Sequence, residues 1–446
     1  MPKRVYPKRR SDRRRRATRK APTHPGRPTG ETLLTAASLC PPLCFDYEEV
    51  ASEYVENTDL DYETHGLTVR AVVSTATHDT TFPETPMSDT SLFAPVPLGK
   101  LTLLNRLVMA PMTRSRAAGN VPNALMAEYY AQRAGAGLII TEGTSPSPNG
   151  LGYARIPGLF SEEQVAGWKL VTDAVHAKGG HIFAQLMHTG RVGHPLNLPK
   201  GAELIAPSAV AAPGEMYTDQ QGMQAHPVPR TMTEADLGKT RAEFVQAARN
   251  AVAAHFDGVE LHGANGYLLE QFLSPNTNER RDAYGGSVER RMRFVLEVVH
   301  AVDDAIGGDK VGIRLSPYGA NAGMTPYPEI DETYNLLVEK LVVTGIQYIH
   351  IVDHSAMGAP SVPEKLKHAL RKAWPRTYVA SGGFDRAKAE VALRERRADL
   401  IAFGRPFLSN PDLVTRLQKN LPLNPPDFST FYTPGPKGYT DYPAAG

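Results

Sequence analysis

Cysteine is nearly missing from this chain: among its 446 residues only Cys40 and Cys44 carry a thiol, and both lie near the amino end. The rest of the sequence therefore has no disulfide, no thiolate nucleophile and no set of cysteines for an iron–sulfur cluster or structural zinc. A cytoplasmic location fits that poverty. Long apolar runs are lacking as well. None reaches the roughly 18 residues that cross a bilayer, so no membrane association is expected. What is present, 41% apolar and 22% charged residues, suits a globular protein with a sizeable core.

Charge is segregated rather than scarce. Residues 1–20 hold eleven Lys or Arg against one Asp, whereas Asp46 to Glu63 holds eight acids and no base. The basic stretch lacks the apolar segment of a secretory leader. Residues 1–86 show no sustained period of 2 or 3.6, so a disordered basic-then-acidic extension is expected. The Arg run leaves open an organelle-targeting peptide or a nucleic-acid-binding arm with the remainder as scaffold. Coherent strand patterning begins at Met87, an alternative initiator that would leave residues 1–86 untranslated. The expected division is an extension over 1–86 and a folded domain over 87–446.

From Arg106 onward, apolar segments alternate with amphipathic helical patterns. The segments are RLVMAPM from Arg106, LIITEGT from Leu138, HIFAQLMH from His181, FDGVELHG from Phe256, VGIRLSP from Val311, YIHIVDH from Tyr348, TYVASGG from Thr377 and LIAFGRPFL from Leu400. Nearly all lack strict alternation, as expected of a parallel sheet covered on both faces. The helices carry start signals: Ser161 with Gln164 at capping-box spacing, Thr233 as an N-cap, and Asn410 as a cap before Pro411. This pattern predicts an α/β fold of the (β/α)8 TIM-barrel type. Thr189 to Met232 is too long for an ordinary connection and reads as a lid or substrate-shaping excursion after the third strand.

In such a barrel the carboxyl ends of the strands meet at one face. The fourth segment ends in His262, Asn265 and Tyr267: an imidazole, a carboxamide and a phenol able to grip a polar oxygen and deliver a proton. A lone histidine after a strand is ordinarily a satisfied structural group, so the other strand ends decide the matter. Gly382 and Gly383 on the seventh, with Gly404 and Arg405 on the eighth, form a phosphate cradle. Gln185 can donate and accept and Arg314 can only donate, which suits the edge of a flat heterocycle. Together they indicate flavin mononucleotide.

The stretches RLVMAPMTRSRA, EYYAQRAGAGLIITEG, QLMHTGR, ELHGANGYLLEQFLSPNTNERRDAYGGSVERR and AFGRPFLSNPDL, together with the tail FYTPGPKGYTDYP, resemble the old yellow enzyme family in the family's own order. The resemblance implies a reductase of activated alkenes that binds FMN without a covalent link and takes electrons from NADPH or NADH. It implies that Pro111, Met112, Thr113, Gly143, Gln185, His262 and Arg314 contact the flavin, and that Gly382, Gly383, Gly404 and Arg405 hold its phosphate. His262 and Asn265 would bind the substrate oxygen, Tyr267 would donate the proton, and Tyr153, Met187 and Tyr432 would line the substrate cleft. Arg230 falls in a context like the family's nicotinamide-side loop. Many relatives have His in place of Asn265 and Trp in place of Met187, which implies an altered substrate range. Thr113 assigns the chain to the branch without a flavin-side cysteine. Small-molecule substrate and nicotinamide are the expected partners, with a monomer or homodimer. The rivals are the nucleic-acid arm and an FMN barrel oxidising a 2-hydroxy acid or a dihydropyrimidine.

Overall fold

A computed structural model describes residues 91–445. The basic arm, the acidic run, both cysteines and the Met87 start lie outside the described residues. Eight parallel strands close into a barrel: β1 (Leu107–Met109), β2 (Leu138–Ile140), β3 (Ile182–Leu186), β4 (Gly258–Gly263), β5 (Val311–Leu315), β6 (Tyr348–Val352), β7 (Thr377–Ser381) and β8 (Leu400–Phe403). They pair in sequence order, and β8 returns to β1. Each strand falls inside one of the eight expected segments.

The sequence of each strand explains its position. One face of the sheet packs on the surrounding helices. The other forms an interior cluster that includes Val108, Leu138, Ile140, Phe183, Tyr348, Val379 and Leu400. Gly258 and Gly312 have no side chain there because a Cβ at either would strike the rings of Phe183 and Tyr348. Those two rings fill the barrel with centroids 6.0 Å apart. An antiparallel hairpin, Val96–Leu98 with Leu101–Leu103, adds Val96, Leu98 and Leu103 to the same cluster. It stoppers the end opposite the site.

Eight helices alternate with the strands: α1 (Ala124–Gln132), α2 (Glu162–His176), α3 (Glu234–Ala253), α4 (Val288–Ile306), α5 (Ile330–Val342), α6 (Glu364–Ala373), α7 (Arg386–Arg394) and α8 (Leu413–Lys419). Capping boxes open α2 at Ser161/Gln164 and α3 at Thr233/Asp236, where two orphan N–H groups are satisfied reciprocally. The expectation for Asn410 needs correction. α8 begins later, with Asp412 at its N-cap. Asn410 instead ends a five-residue helix, Arg405–Ser409, donating from Nδ2 to the Pro406 carbonyl and accepting from the Asn424 N–H. The long excursion after β3 is ordered. It contains a parallel pair, Ile205–Ala206 with Arg230–Thr231, and a hairpin, Glu215–Thr218 with Gly222–Ala225.

Candidate active site

The register of the strands stacks the polar side chains in two layers. Glu260 of β4 lies opposite Gln185 of β3; two residues on, His262 lies opposite Arg314 of β5, which in turn lies opposite His350 of β6. In the lower layer, the fully buried Glu260 accepts from Gln185 Nε2 at 2.8 Å and from the Tyr348 hydroxyl at 3.2 Å, and it meets His350 Nδ1 at 2.8 Å. With Nε2 engaged, Gln185 has its carbonyl oxygen left as an acceptor. In the upper layer, Arg314 Nε, His262 Nδ1, His350 Nε2 and, at the end of β7, Ser381 Oγ are buried with no hydrogen-bond partner. Each such atom costs about 1–3 kcal/mol, so four at one barrel end mark a place where a ligand completes the structure.

Burial, followed by the nearby Arg314 cation, holds His262 well below the ordinary imidazole range. It is neutral at physiological pH and can donate one N–H. Tyr267 stands just past β4, its ring edge-on to His262 with centroids 4.9 Å apart. Its hydroxyl is 2.9 Å from that of Tyr153. Burial pushes the Tyr267 phenol up to about 12, against the smaller opposing effects of the Tyr153 hydrogen bond and Arg314. Asn265 occupies the left-handed region at φ 61°, tolerable for an asparagine. Its N–H donates to Ser316 Oγ at 2.8 Å, and its side-chain oxygen lies 2.6 Å from His354 Nε2.

The expected cleft residues converge on this group. Met187 is buried against Leu151 and Ile156, with Tyr153 and Tyr267 packed on the same cluster. Gly143 makes room for it, since a Cβ there would strike the Met187 sulfur. Tyr432 is exposed and reaches the mouth on the carboxyl-terminal tail. Arg116 holds that tail by donating to the carbonyls of Phe431 at 2.7 Å and Thr430 at 2.8 Å. Arg155 then ties three segments together: it donates to the Ser115 and Tyr432 carbonyls and pairs with Asp219 of the excursion hairpin.

Across the mouth, Gly382 and Gly383 have φ 125° and 66° and are exposed. A Cβ on Gly382 would strike the Asp353 carbonyl, so only glycine fits. Gly404 caps the Arg405–Ser409 helix, and Arg405 is exposed beside it. The Met112 sulfur lies 3.7 Å from the position of a Cβ on Gly404, which brings the half-buried Pro111, Met112 and Thr113 to the same rim. Open glycine backbone, a free cation and unpartnered buried donors fit the phosphate, ring edge and anionic character of FMN. Arg230 does not join this set. Its guanidinium is held by Glu203 at 2.6 Å and Asp236 at 2.7 Å beside the start of α3.

Sequence reasoning overlooked Glu260, His350, His354 and Asn321. Glu260 and His262 are two apart, as are Tyr348 and His350, so a period of 2 would have put each pair on one face. Nothing local marks His354 or Asn321, which belong to the loops after β6 and β5.

A barrel with this polar mouth defines a flavin-dependent oxidoreductase. Residues 91–424 match the NADH:flavin oxidoreductase / NADH oxidase family, and the chain belongs to it as a member of the old yellow enzyme group. It is an NAD(P)H-dependent FMN enzyme of the ene-reductase kind. The chain is 44% identical over 370 residues to chanoclavine-I aldehyde reductase fgaOx3 of Penicillium roqueforti (strain FM164), a match covering 79% of this chain and 96% of that protein. It is 40% identical to 12-oxophytodienoate reductase 7 of Oryza sativa subsp. japonica, covering 80% and 95%. Its fold superposes on morphinone reductase with a TM-score of 0.78 at 42% identity, covering 81% and 98%. The old yellow enzyme homologue of Zymomonas mobilis gives 0.76 at 40% identity, covering 79% and 99%.

Proposed function

We propose that this enzyme reduces the carbon–carbon double bond of α,β-unsaturated carbonyl compounds and maleimides, and acts also on nitro compounds or nitrate esters, in a ping-pong cycle driven by NADPH or NADH. The observation that carries the reading is the convergence of a neutral imidazole, a carboxamide and a protonated, half-buried phenol beside the unpartnered polar atoms of the mouth. Bound FMN supplies a carrier that accepts hydride from nicotinamide and passes it to the substrate.

The chain's own residues do the rest. Gln185, through its free carbonyl oxygen, and Arg314, as a cation, hold the polar edge of the ring, and Thr113 offers a hydroxyl from the opposite rim. Gly382, Gly383, Gly404 and Arg405 hold the phosphate. His262 and Asn265 donate to the carbonyl or nitro oxygen and stabilise the charge that develops there. Tyr267 gives its proton to the α-carbon; a phenol displaced upward by burial stays protonated at neutral pH and remains available as the acid. Met187 and Tyr153 shape the cleft, with Tyr432 at its edge.

Purified enzyme should be yellow and should oxidise NADPH faster when cyclohexenone, N-ethylmaleimide or a nitrate ester is added. A flavoprotein inert towards all three would overturn the reading and return attention to oxidation of a 2-hydroxy acid or a dihydropyrimidine.

A further inference from the structure

Asn265 is fixed along its backbone but not, by that alone, at its amide. Its N–H donates to Ser316 Oγ, which donates in turn to Glu270 Oε1 at 2.7 Å, while the other Glu270 oxygen accepts from Gly266 N–H at 2.5 Å. This clamp holds residues 265 and 266 in left-handed conformations. Rotation of the carboxamide remains free, and the two ends of a carboxamide have opposite character. An amide presenting oxygen to a substrate carbonyl would repel it, whereas one presenting its NH2 binds it.

Two side chains from other loops bear on which end faces inward. His354, after β6, places Nε2 2.6 Å from Asn265 Oδ1, and Asn321, after β5, places Nδ2 3.4 Å from the same oxygen. Asn321 Nδ2 also lies 3.2 Å from His354 Nε2; a neutral imidazole nitrogen cannot accept there and donate to Asn265 at once, and the shorter 2.6 Å contact to the Asn265 oxygen favours the tautomer with the proton on Nε2. The His354 loop is itself pinned: Asp353 accepts from Ser355 N–H at 2.9 Å and pairs with Lys367 of α6 at 2.8 Å. Burial, then Arg314, draws the imidazole down to about 4, so it is uncharged across the neutral range and carries one N–H.

We infer that His354 is a positioning residue: its Nε2–H occupies the Asn265 oxygen and so turns the Asn265 NH2 towards the substrate. His354 acts only through Asn265. Its effect is therefore conditional on Asn265, and it rests on the oxygen-binding reading of that residue given above.

The test is a double-variant cycle on the FMN-loaded enzyme. Affinity for phenol, whose oxygen would take the place proposed for the substrate oxygen at His262 and Asn265, is read from the change in flavin absorbance, with thermal unfolding recorded for every variant. His354→Leu is expected to weaken phenol binding about tenfold, the size of one misdirected hydrogen bond. His354→Gln, which retains a donor at similar reach, should stay within about threefold of the parent. Asn265→Ala should weaken binding to a comparable degree, and Asn265→Ala with His354→Leu should be no worse than Asn265→Ala alone. Multiplying effects in the double variant, or a His354→Leu enzyme that binds as the parent does while Asn265→Ala does not, would overturn the inference and leave the function intact. Unchanged binding in Asn265→Ala would remove the oxygen-binding reading and this inference with it. If His354→Leu does not fold, His354→Gln against His354→Asn, which is too short to reach, gives the same decision.

Discussion

The two polar layers of the barrel share β4 and β6, where Glu260 and His262, and Tyr348 and His350, stand two residues apart, yet they are opposites. In the lower layer Glu260 is enclosed by Gln185, Tyr348 and His350. In the upper layer Arg314, His262, Ser381 and the outer nitrogen of His350, whose other nitrogen meets Glu260 below, each bury a polar atom that nothing in the described chain satisfies. A closed buried network rigidifies and specifies a structure; an open one is a cost borne for a ligand. The difference separates what holds the barrel together from what it is for.

The widest separation between the layers is expected at Tyr267. Tyr267→Phe should slow alkene reduction by roughly 10²–10⁴-fold while flavin reduction by NADPH in a stopped-flow trace stays near the parent rate. Equal loss in both half-reactions would remove its role as acid. The lower layer should respond in stability. Glu260→Ala leaves three buried partners unsatisfied and should cost about 3–5 kcal/mol in denaturant unfolding, whereas His262→Ala in the upper layer should lose substrate affinity with a smaller stability change. Met187→Ala should cost about 2–5 kcal/mol and admit bulkier enones, seen as a lower KM for them than for cyclohexenone. At the small end, Arg230→Ala removes exposed ion pairs and should change stability by about 0–1 kcal/mol, with NADPH affinity unaltered.

The pH dependence follows from the same contrast. As the proposed acid, Tyr267 acts in its protonated form, and its phenol is raised to about 12. Alkene reduction should thus show no loss from this group between about pH 6 and pH 10, declining only as pH rises towards the phenol's own range. His262 is held neutral by burial and by Arg314, so no imidazole step should appear near pH 6.5 in substrate binding.

The strands and the fourth-strand triple were legible because each is local. An apolar run such as LIITEGT or VGIRLSP declares a covered strand by itself, and His262, Asn265 and Tyr267 sit within one turn. Gly382 and Gly383 have a backbone reason to be glycine, with φ 125° and 66° and neighbours where a Cβ would stand, whereas Gly404 has room for a side chain and was legible only from its place before Arg405. What escaped depended on register between strands or on loops meeting in space. Glu260 looked like one more residue of a buried run until pairing set it opposite Gln185. Arg230 was matched by sequence context, but the start of α3 brought Asp236 within reach of it. Asn410 was read as a start signal because Pro411 follows it, while the chain had first to finish the short helix that carries Arg405. His354 reaches Asn265 across 89 residues of sequence, a distance over which no spacing rule operates.

The claim that the upper layer exists for its cofactor is tested most directly at Arg314, by measuring FMN affinity and unfolding of the flavin-free protein for the parent and Arg314→Met. A cation that serves the flavin should, when replaced by a side chain of similar length, weaken FMN binding by about 10–100-fold and leave the flavin-free protein as stable as before, or more so. A variant that binds FMN like the parent, or whose flavin-free form loses several kcal/mol (the cost of breaking a buried pair), would show instead that Arg314 belongs to the barrel's own structure.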